Sequence, residues 1–266
     1  MNINITIGQF YPIDSKIHRL DPRVKLLAVF SYVIFLFMAT NMWGYVFGAL
    51  GLVLVIAMSN VPPKYIFKGL KSIIGIIMFT VVLNIFFVPG KNVIFSVGFI
   101  KLTTEGLFTA GKMASRLILL IVASSVLTLT TSPIELTDAI EYCLKPFKRI
   151  GVPSHEIAMM MTIALRFIPT LMEEVDKIMK AQIARGADFD TGNIMQKAKS
   201  LIPLLVPLFI SSFRRADELA LAMEARCYQG DVNRTRMKEL KFEQRDYLFL
   251  ICLILVGVGV MLTRFI

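Results

Sequence analysis

Between Lys25 and Lys64 the chain carries no charged residue. A soluble helix or strand keeps one face in water and shows charge along it, so a run this long fits a solvent without water. Further uncharged runs lie between Lys71 and Lys91, between Arg116 and Glu135, and between Asp246 and Arg264. A helix needs about 20 mostly apolar residues to cross a bilayer. The first run has room for two such helices with a turn at 40–44, and the others for one each. The expected spans are 26–39, 45–59, 72–87, 107–130 and 247–263. Each must be helical, because hydrocarbon offers no partner to an unpaired backbone group. Composition agrees: 18% of residues are charged and 56% hydrophobic, where soluble domains run near 25% charged.

Lys112 and Arg116 stand four apart near the start of the fourth span and share a helix face. Two dispositions are open for them. The general rule favours snorkelling to the outer interface, and the alternative is contact with protein. Orientation follows lysine and arginine. With the N-terminus in the cytoplasm, 24 of the 29 fall in cytoplasmic segments, and five spans put the C-terminus outside. Residues 1–25 are too charged for a cleaved signal, so the first span is expected to target the chain. The net charge of +10 is the ordinary cytoplasmic bias with some attraction to anionic lipid, not a nucleic-acid footprint. Cys143, Cys227 and Cys252 are isolated, which supports neither a disulfide framework nor a metal site.

The chain thus divides into 1–130, with four spans; 131–246, charged yet rich in Leu, Ile and Met; and 247–266, the last span. Three amphipathic helices are legible in the middle part. The first opens on the capping box Ser132-Pro133-Ile134-Glu135 and runs to about Lys148. The second starts near Ser154 and ends at Gly186. Ile168, Leu171, Met172, Val175, Ile178, Met179 and Ile183 recur along it at spacings of three and four and make one apolar stripe. The third runs from about Ile194 to Cys227, with Phe213, Ala216, Ala220 and Met223 as its stripe. Such helices are too charged to span the bilayer and too apolar to float free. They belong at the cytoplasmic interface or against other protein. Residues 228–246 read as a charged loop.

A short repeat closes the two long helices. Residues 181–186 read Ala-Gln-Ile-Ala-Arg-Gly and residues 222–227 read Ala-Met-Glu-Ala-Arg-Cys. One reading is a C-cap, since arginine suits the negative end of the helix dipole and Gly186 the left-handed position that ends helices. A second, compatible reading makes Arg185 and Arg226 a pair of prongs. Guanidinium is always charged and grips carboxylates through two bonds, as docking into an acidic groove requires.

Four elements now stand in order: Asp21-Pro22-Arg23-Val24-Lys25; Ala164-Leu165-Arg166-Phe167-Ile168-Pro169; Ala181-Gln182-Ile183-Ala184-Arg185-Gly186; and Met223-Glu224-Ala225-Arg226-Cys227. Together they resemble the T component of energy-coupling factor (ECF) transporters, the EcfT/CbiQ family, over essentially the whole chain. The resemblance implies an all-α membrane protein of about five transmembrane helices, with three cytoplasmic coupling helices between spans four and five. It implies two ABC ATPases as partners, held by Ala184-Arg185-Gly186 and Ala225-Arg226-Cys227. ATP and magnesium would sit on those ATPases, and this chain would bind no cofactor. It also implies a small membrane S component that holds a vitamin or metal and rests on the apolar stripes. Cys227 departs from the family's glycine, which touches only the cap. The location implied is the prokaryotic cell membrane.

Some features compete with this reading. Gly106-Leu107-Phe108-Thr109-Ala110-Gly111-Lys112-Met113 imitates a phosphate-binding loop, but it opens a membrane span and has Met113 where a hydroxyl should hold magnesium. Gly44-x-x-x-Gly48 could pack helices, but is expected to belong to the turn. The stretch 92–103 alternates and could form a short external β-hairpin. His18 and His155 suit capping or solvated roles. Asp188 and Asp190 would serve a metal-dependent membrane enzyme acting on lipid, the main rival. A self-contained secondary transporter would call for midplane ionisable groups and repeat symmetry.

Overall fold

The computed structural model describes residues 10–88, 93–97, 100–187, 189, 194–230, 240 and 242–263. Lys91, Asp188, Asp190, Arg264 and most of the loop expected at 228–246 lie outside them. The elements in chain order are α1 (Pro22–Met38), α2 (Met42–Ser59), α3 (Pro63–Phe87), β1 (Val93–Val97), β2 (Ile100–Thr103), α4 (Thr104–Thr130) and α5 (Pro133–Leu144). A 3-10 turn (Lys145–Ile150), α6 (Ser154–Ala184), α7 (Ile194–Ala225) and α8 (Gln244–Leu262) follow. They fall into two compact units, residues 1–140 with 238–266, and residues 141–237.

In the first unit α2, α3, α4 and α8, of 18, 25, 27 and 19 residues, are long and apolar enough to cross a membrane. The chain is a multi-pass helical membrane protein. The fifth expected span, α1, is a helix of 17 residues. Arg23 and Lys25 occupy its first turn, so its uncharged part extends only about 20 Å, against a hydrocarbon core of about 30 Å. Its start is set locally: Pro22 takes the first helical position and the Asp21 side chain accepts the Arg23 N–H at 2.9 Å. The β-hairpin forms as read from the alternation, antiparallel from Val97↔Ile100 to Val93↔Thr103 with a bulge between Val93 and Phe95.

Helices α1, α2, α4 and α8 enclose a core of Tyr32, Leu36, Tyr45, Leu52, Ala123 and Val260. Glycines set how closely they approach. The expectation that Gly44-x-x-x-Gly48 belongs to a turn is corrected, because the chain turns at 39–41 and both glycines lie within α2. A Cβ at Gly44 would stand 3.0 Å from Thr263 Oγ1, and one at Gly48 3.1 Å from Leu36 Cδ2. Tighter still is Gly257 on α8, where a Cβ would meet the Phe35 ring at 2.5 Å. Gly257→Ala should therefore cost about 1–3 kcal/mol of stability through overpacking. The check is a melting temperature in detergent that falls for the single variant and recovers when Phe35→Leu is added.

A polar knot ties the helix ends on the α1 N-terminal side. The Asp21 N–H donates to Asp246 Oδ1 at 2.9 Å, and the other Asp246 oxygen accepts the Glu243 N–H at 2.8 Å. Arg23 donates to the Leu240 carbonyl at 2.6 Å and lies over the Phe242 ring at 5.0 Å. Lys25 Nζ donates to the carbonyls of His18 and Thr130 at 3.0 and 2.9 Å. The Asp-Pro-Arg-Val-Lys motif thus clamps the start of α1 to the end of α4 and the start of α8. His18 belongs to the same end, bonded to Ser15 Oγ at 2.7 Å and to the Tyr11 carbonyl at 3.0 Å.

Snorkelling by Arg116 is corrected as well. Its guanidinium donates to the Tyr45 hydroxyl at 2.7 Å and lies 5.0 Å over the Phe37 ring, inside the unit. The general preference for the interface yields where an aromatic pair and a hydroxyl satisfy the charge locally. The loop-like glycine pattern 106–113 is helical from its first residue. Gly106 lets α4 approach α3, since a Cβ there would stand 3.1 Å from the Ile85 carbonyl. A strand that runs straight into a helix leaves no loop to cradle a phosphate.

In the second unit α6 and α7 form an antiparallel pair. Glu174 on α6 accepts from Ser211 and pairs with Arg215 at 3.0 Å, while Gln182, further along α6, reaches back to the Pro203 carbonyl at 3.3 Å. Both helices run through their prolines, Pro169 on α6 and Pro203 and Pro207 on α7. His155, in the first turn of α6, pairs with Glu141 at 3.3 Å.

Candidate functional site

The two Ala-Arg motifs end their helices in the same way, bond for bond. At the end of α6 the Gly186 N–H donates to the Ile183 carbonyl at 2.9 Å and the Ala187 N–H to the Gln182 carbonyl at 3.0 Å. At the end of α7 the Cys227 N–H donates to the Glu224 carbonyl at 2.9 Å and the Tyr228 N–H to the Met223 carbonyl at 3.1 Å. Each is a Schellman cap with the arginine at the C-cap position and the next residue left-handed. Gly186 has φ 89° and Cys227 φ 55°. The C-cap reading of the repeat holds at both ends.

The caps leave the arginine side chains unspent. Arg185 and Arg226 are both exposed. Among the described residues neither guanidinium has a hydrogen-bond or ion-pair partner, unlike Arg215, Arg23 and Arg116. Their separation follows from the register of the pair. Arg185 lies 11 residues beyond Glu174 in one direction, and Arg226 lies 11 beyond Arg215 in the other. At 1.5 Å per residue and allowing for a crossing angle, the two guanidinium groups sit roughly 25–35 Å apart. They are two separate handles at opposite ends of one helix pair.

Cys227 is the departure between the motifs. A side chain in the left-handed region costs on the order of 1 kcal/mol that glycine avoids. Cys227→Gly is expected to stabilise the end of α7 by about that amount. Hydrogen exchange at the Cys227 and Tyr228 amides should slow a few-fold, and an unchanged rate would remove the strain from the account.

The apolar stripes differ between the helices. On α6, Ile168, Leu171, Met172, Val175, Ile178 and Met179 are half-buried, while Ile183 at the end of the stripe is exposed. On α7, Phe213, Ala216 and Ala220 are exposed and Met223 half-buried. The side of α7 turned to α6 instead carries Leu204, Ser211 and Arg215. The exposed stripe also continues further than the sequence reading took it. Ile202, Val206, Phe209, Phe213, Ala216 and Ala220 alternate spacings of four and three, and Phe213 is 68% exposed. That is the spacing of a coiled-coil-like seam, exposed among the described residues of the second unit. Its first half has the same periodicity, interrupted in the sequence by Pro203 and Pro207, through which the helix continues.

The class the fold defines is a multi-pass helical membrane protein that carries a pair of capped amphipathic helices, each ending in an exposed arginine. The comparisons carry this to a family. The family model described as CbiQ, cobalt transport protein, matches residues 14–238. An energy-coupling factor transporter transmembrane protein EcfT from Clostridium kluyveri is 59% identical over 260 residues, covering 97% of this chain and 96% of its own length. Its counterpart from Thermosediminibacter oceani is 56% identical over 98% of both chains, and that from Bacillus subtilis 46% identical over 96% of both. The chain belongs to the EcfT/CbiQ family of energy-coupling factor transporter transmembrane components.

Proposed function

We propose that this chain is the coupling subunit of an ATP-driven importer, passing motion from two ATPase subunits to a substrate-binding membrane partner. The observation that carries this is the matched pair of helix ends, with identical caps and exposed guanidinium groups that have no partner among the described residues, at opposite ends of the α6–α7 pair. Two handles well separated suit two copies of one partner, or two alike, each offering an acidic groove. Arg185 enters one groove and Arg226 the other, with Ala184, Gly186, Ala225 and Cys227 giving close backbone approach. ATP and magnesium stay on the ATPases, and this chain performs no chemistry. The exposed α7 seam, with the α6 stripe beside it, is the platform for an apolar membrane partner, the S component, which selects the vitamin or other micronutrient. The lysine and arginine distribution puts the N-terminus and both coupling helices in the cytoplasm and the C-terminus outside.

Purification of the tagged chain from its own cells in mild detergent tests this. The expected result is co-purification of two ABC ATPase chains and a small hydrophobic membrane protein, whose identity names the cargo. Recovery of a chain that transports or turns over substrate with no ATPase bound would overturn the reading.

A further inference from the structure

The membrane unit contains a cavity that the coupling function does not use. Its volume is about 830 Å³, within the range of pockets that enclose a whole organic ligand. Helices α2 and α8 touch at Gly51 and Val256, where a glycine Cβ would come within 3.0 Å. From there towards the α1 N-terminal end, Leu54, Val55 and Met58 of α2 line the cavity together with Leu248, Phe249 and Cys252 of α8. Leu54 and Leu248 are each 64% exposed on helices long and apolar enough to cross the bilayer, so the open side of this cleft faces lipid. Its depth, from Val256 down to Arg245, is 11 residues of helix, about 16 Å, close to half of the roughly 30 Å hydrocarbon core and so to one leaflet.

The mouth is basic. Lys16, Arg19, Lys25 and Arg245 line it, with Asp14 the one acid among the lining residues. Arg19 takes Asp14 through two bonds of 3.0 and 2.9 Å, which leaves Lys16, Lys25 and Arg245. Arg245 has only a loose neighbour, Glu243 at 3.5 Å, both well exposed. Lys25 is 4% exposed and spends two of its three N–H donors on the carbonyls of His18 and Thr130. An apolar cleft one leaflet deep, open to lipid and rimmed by net positive charge, is complementary to a single amphiphile. We propose that it holds one anionic phospholipid, an acyl chain between α2 and α8 and the headgroup phosphate at Lys16, Lys25 and Arg245.

The test is native mass spectrometry of the full chain, delipidated in detergent and incubated with phosphatidylglycerol or with phosphatidylcholine of the same acyl chains. One phosphatidylglycerol per chain should be retained, with about tenfold preference over phosphatidylcholine. The pair Lys16→Ala and Arg245→Ala should bring that preference to about twofold or less. Cys252→Trp, which fills the cleft, should abolish retention, while Leu255→Trp on the lipid-facing side of α8 should not. Glycerol phosphate alone should not be retained. Equal retention of the two lipids, equal retention by the two tryptophan variants, or binding of glycerol phosphate without the chain would each overturn the proposal. Should Cys252→Trp fail to fold, the loss of preference in the alanine pair still decides it.

Discussion

Arg185→Glu or Arg226→Glu is expected to abolish the proposed ATP-driven uptake while leaving the chain folded and in the membrane. Both side chains are exposed, and the caps beneath them are built from backbone bonds that a glutamate does not touch. The loss therefore falls on partner binding and not on stability. Putting a carboxylate where an acidic groove expects guanidinium replaces attraction by repulsion, at a cost of about 2–5 kcal/mol, or roughly 30-fold to several-thousand-fold in affinity. ATPase co-purification should fall accordingly, and more steeply in the double variant. Lysine in place of either arginine keeps the charge but loses the planar two-bond grip, so it should retain part of the activity. Uptake and ATPase recovery in vesicles, measured for both glutamate variants, decide the matter. Normal values in both would remove the arginines from the coupling role.

Asp246→Ala should unfold the membrane unit at markedly lower temperature or denaturant. Asp246 is 2% exposed and both its oxygens are engaged, one by the Asp21 N–H and one by the Glu243 N–H. Alanine strands the buried Asp21 amide and removes half of the capping box that starts α8. A stranded buried donor costs about 1–3 kcal/mol and a lost cap about 1 kcal/mol, so a total near 3 kcal/mol is expected. Asp246→Asn keeps one acceptor and should fall between the two. The sequence of losses, alanine greater than asparagine, is the measurement to make. Equal stability of the alanine variant would show the knot to be ornamental to the fold.

Much of this architecture was open to reading because its signals are local. The capping box at Ser132 and Glu135 forms as written, with bonds of 3.2 and 3.3 Å. The starts of α5, α6 and α7, and the ends of α6 and α7 to within two residues, follow from proline, serine and glycine positions. The uncharged run set the expected first span at 26–39, whereas the Asp21 cap starts α1 four residues earlier and draws Arg23 and Lys25 into the helix. Arg116 was misjudged because its partners, Tyr45 and Phe37, lie some 70 residues away, and no local pattern connects them. Asp246 drew no notice for the same reason, standing as one charge before a span while its partner is Asp21. The exposed half of α7 from Ile202 to Phe209 has the same spacing, but Pro203 and Pro207, which usually end helices, stand within it.

The antiparallel register of α6 and α7 has a mechanical consequence. The hydrogen bond from Ser211 to Glu174 and the Glu174–Arg215 ion pair act as the rivet of a pair of shears, with blades of nearly equal length from the rivet to each arginine. Partners that grip the tips at Arg185 and Arg226 and alter the span between them cannot slide one helix along the other without tearing that rivet. They must instead open or close the blades. Because Ser154 lies 20 residues from Glu174 and Ile194 lies 21 from Arg215, against 11 to each arginine, a shift of a few ångströms at the handles reappears, reversed and nearly doubled, at the far ends of both helices.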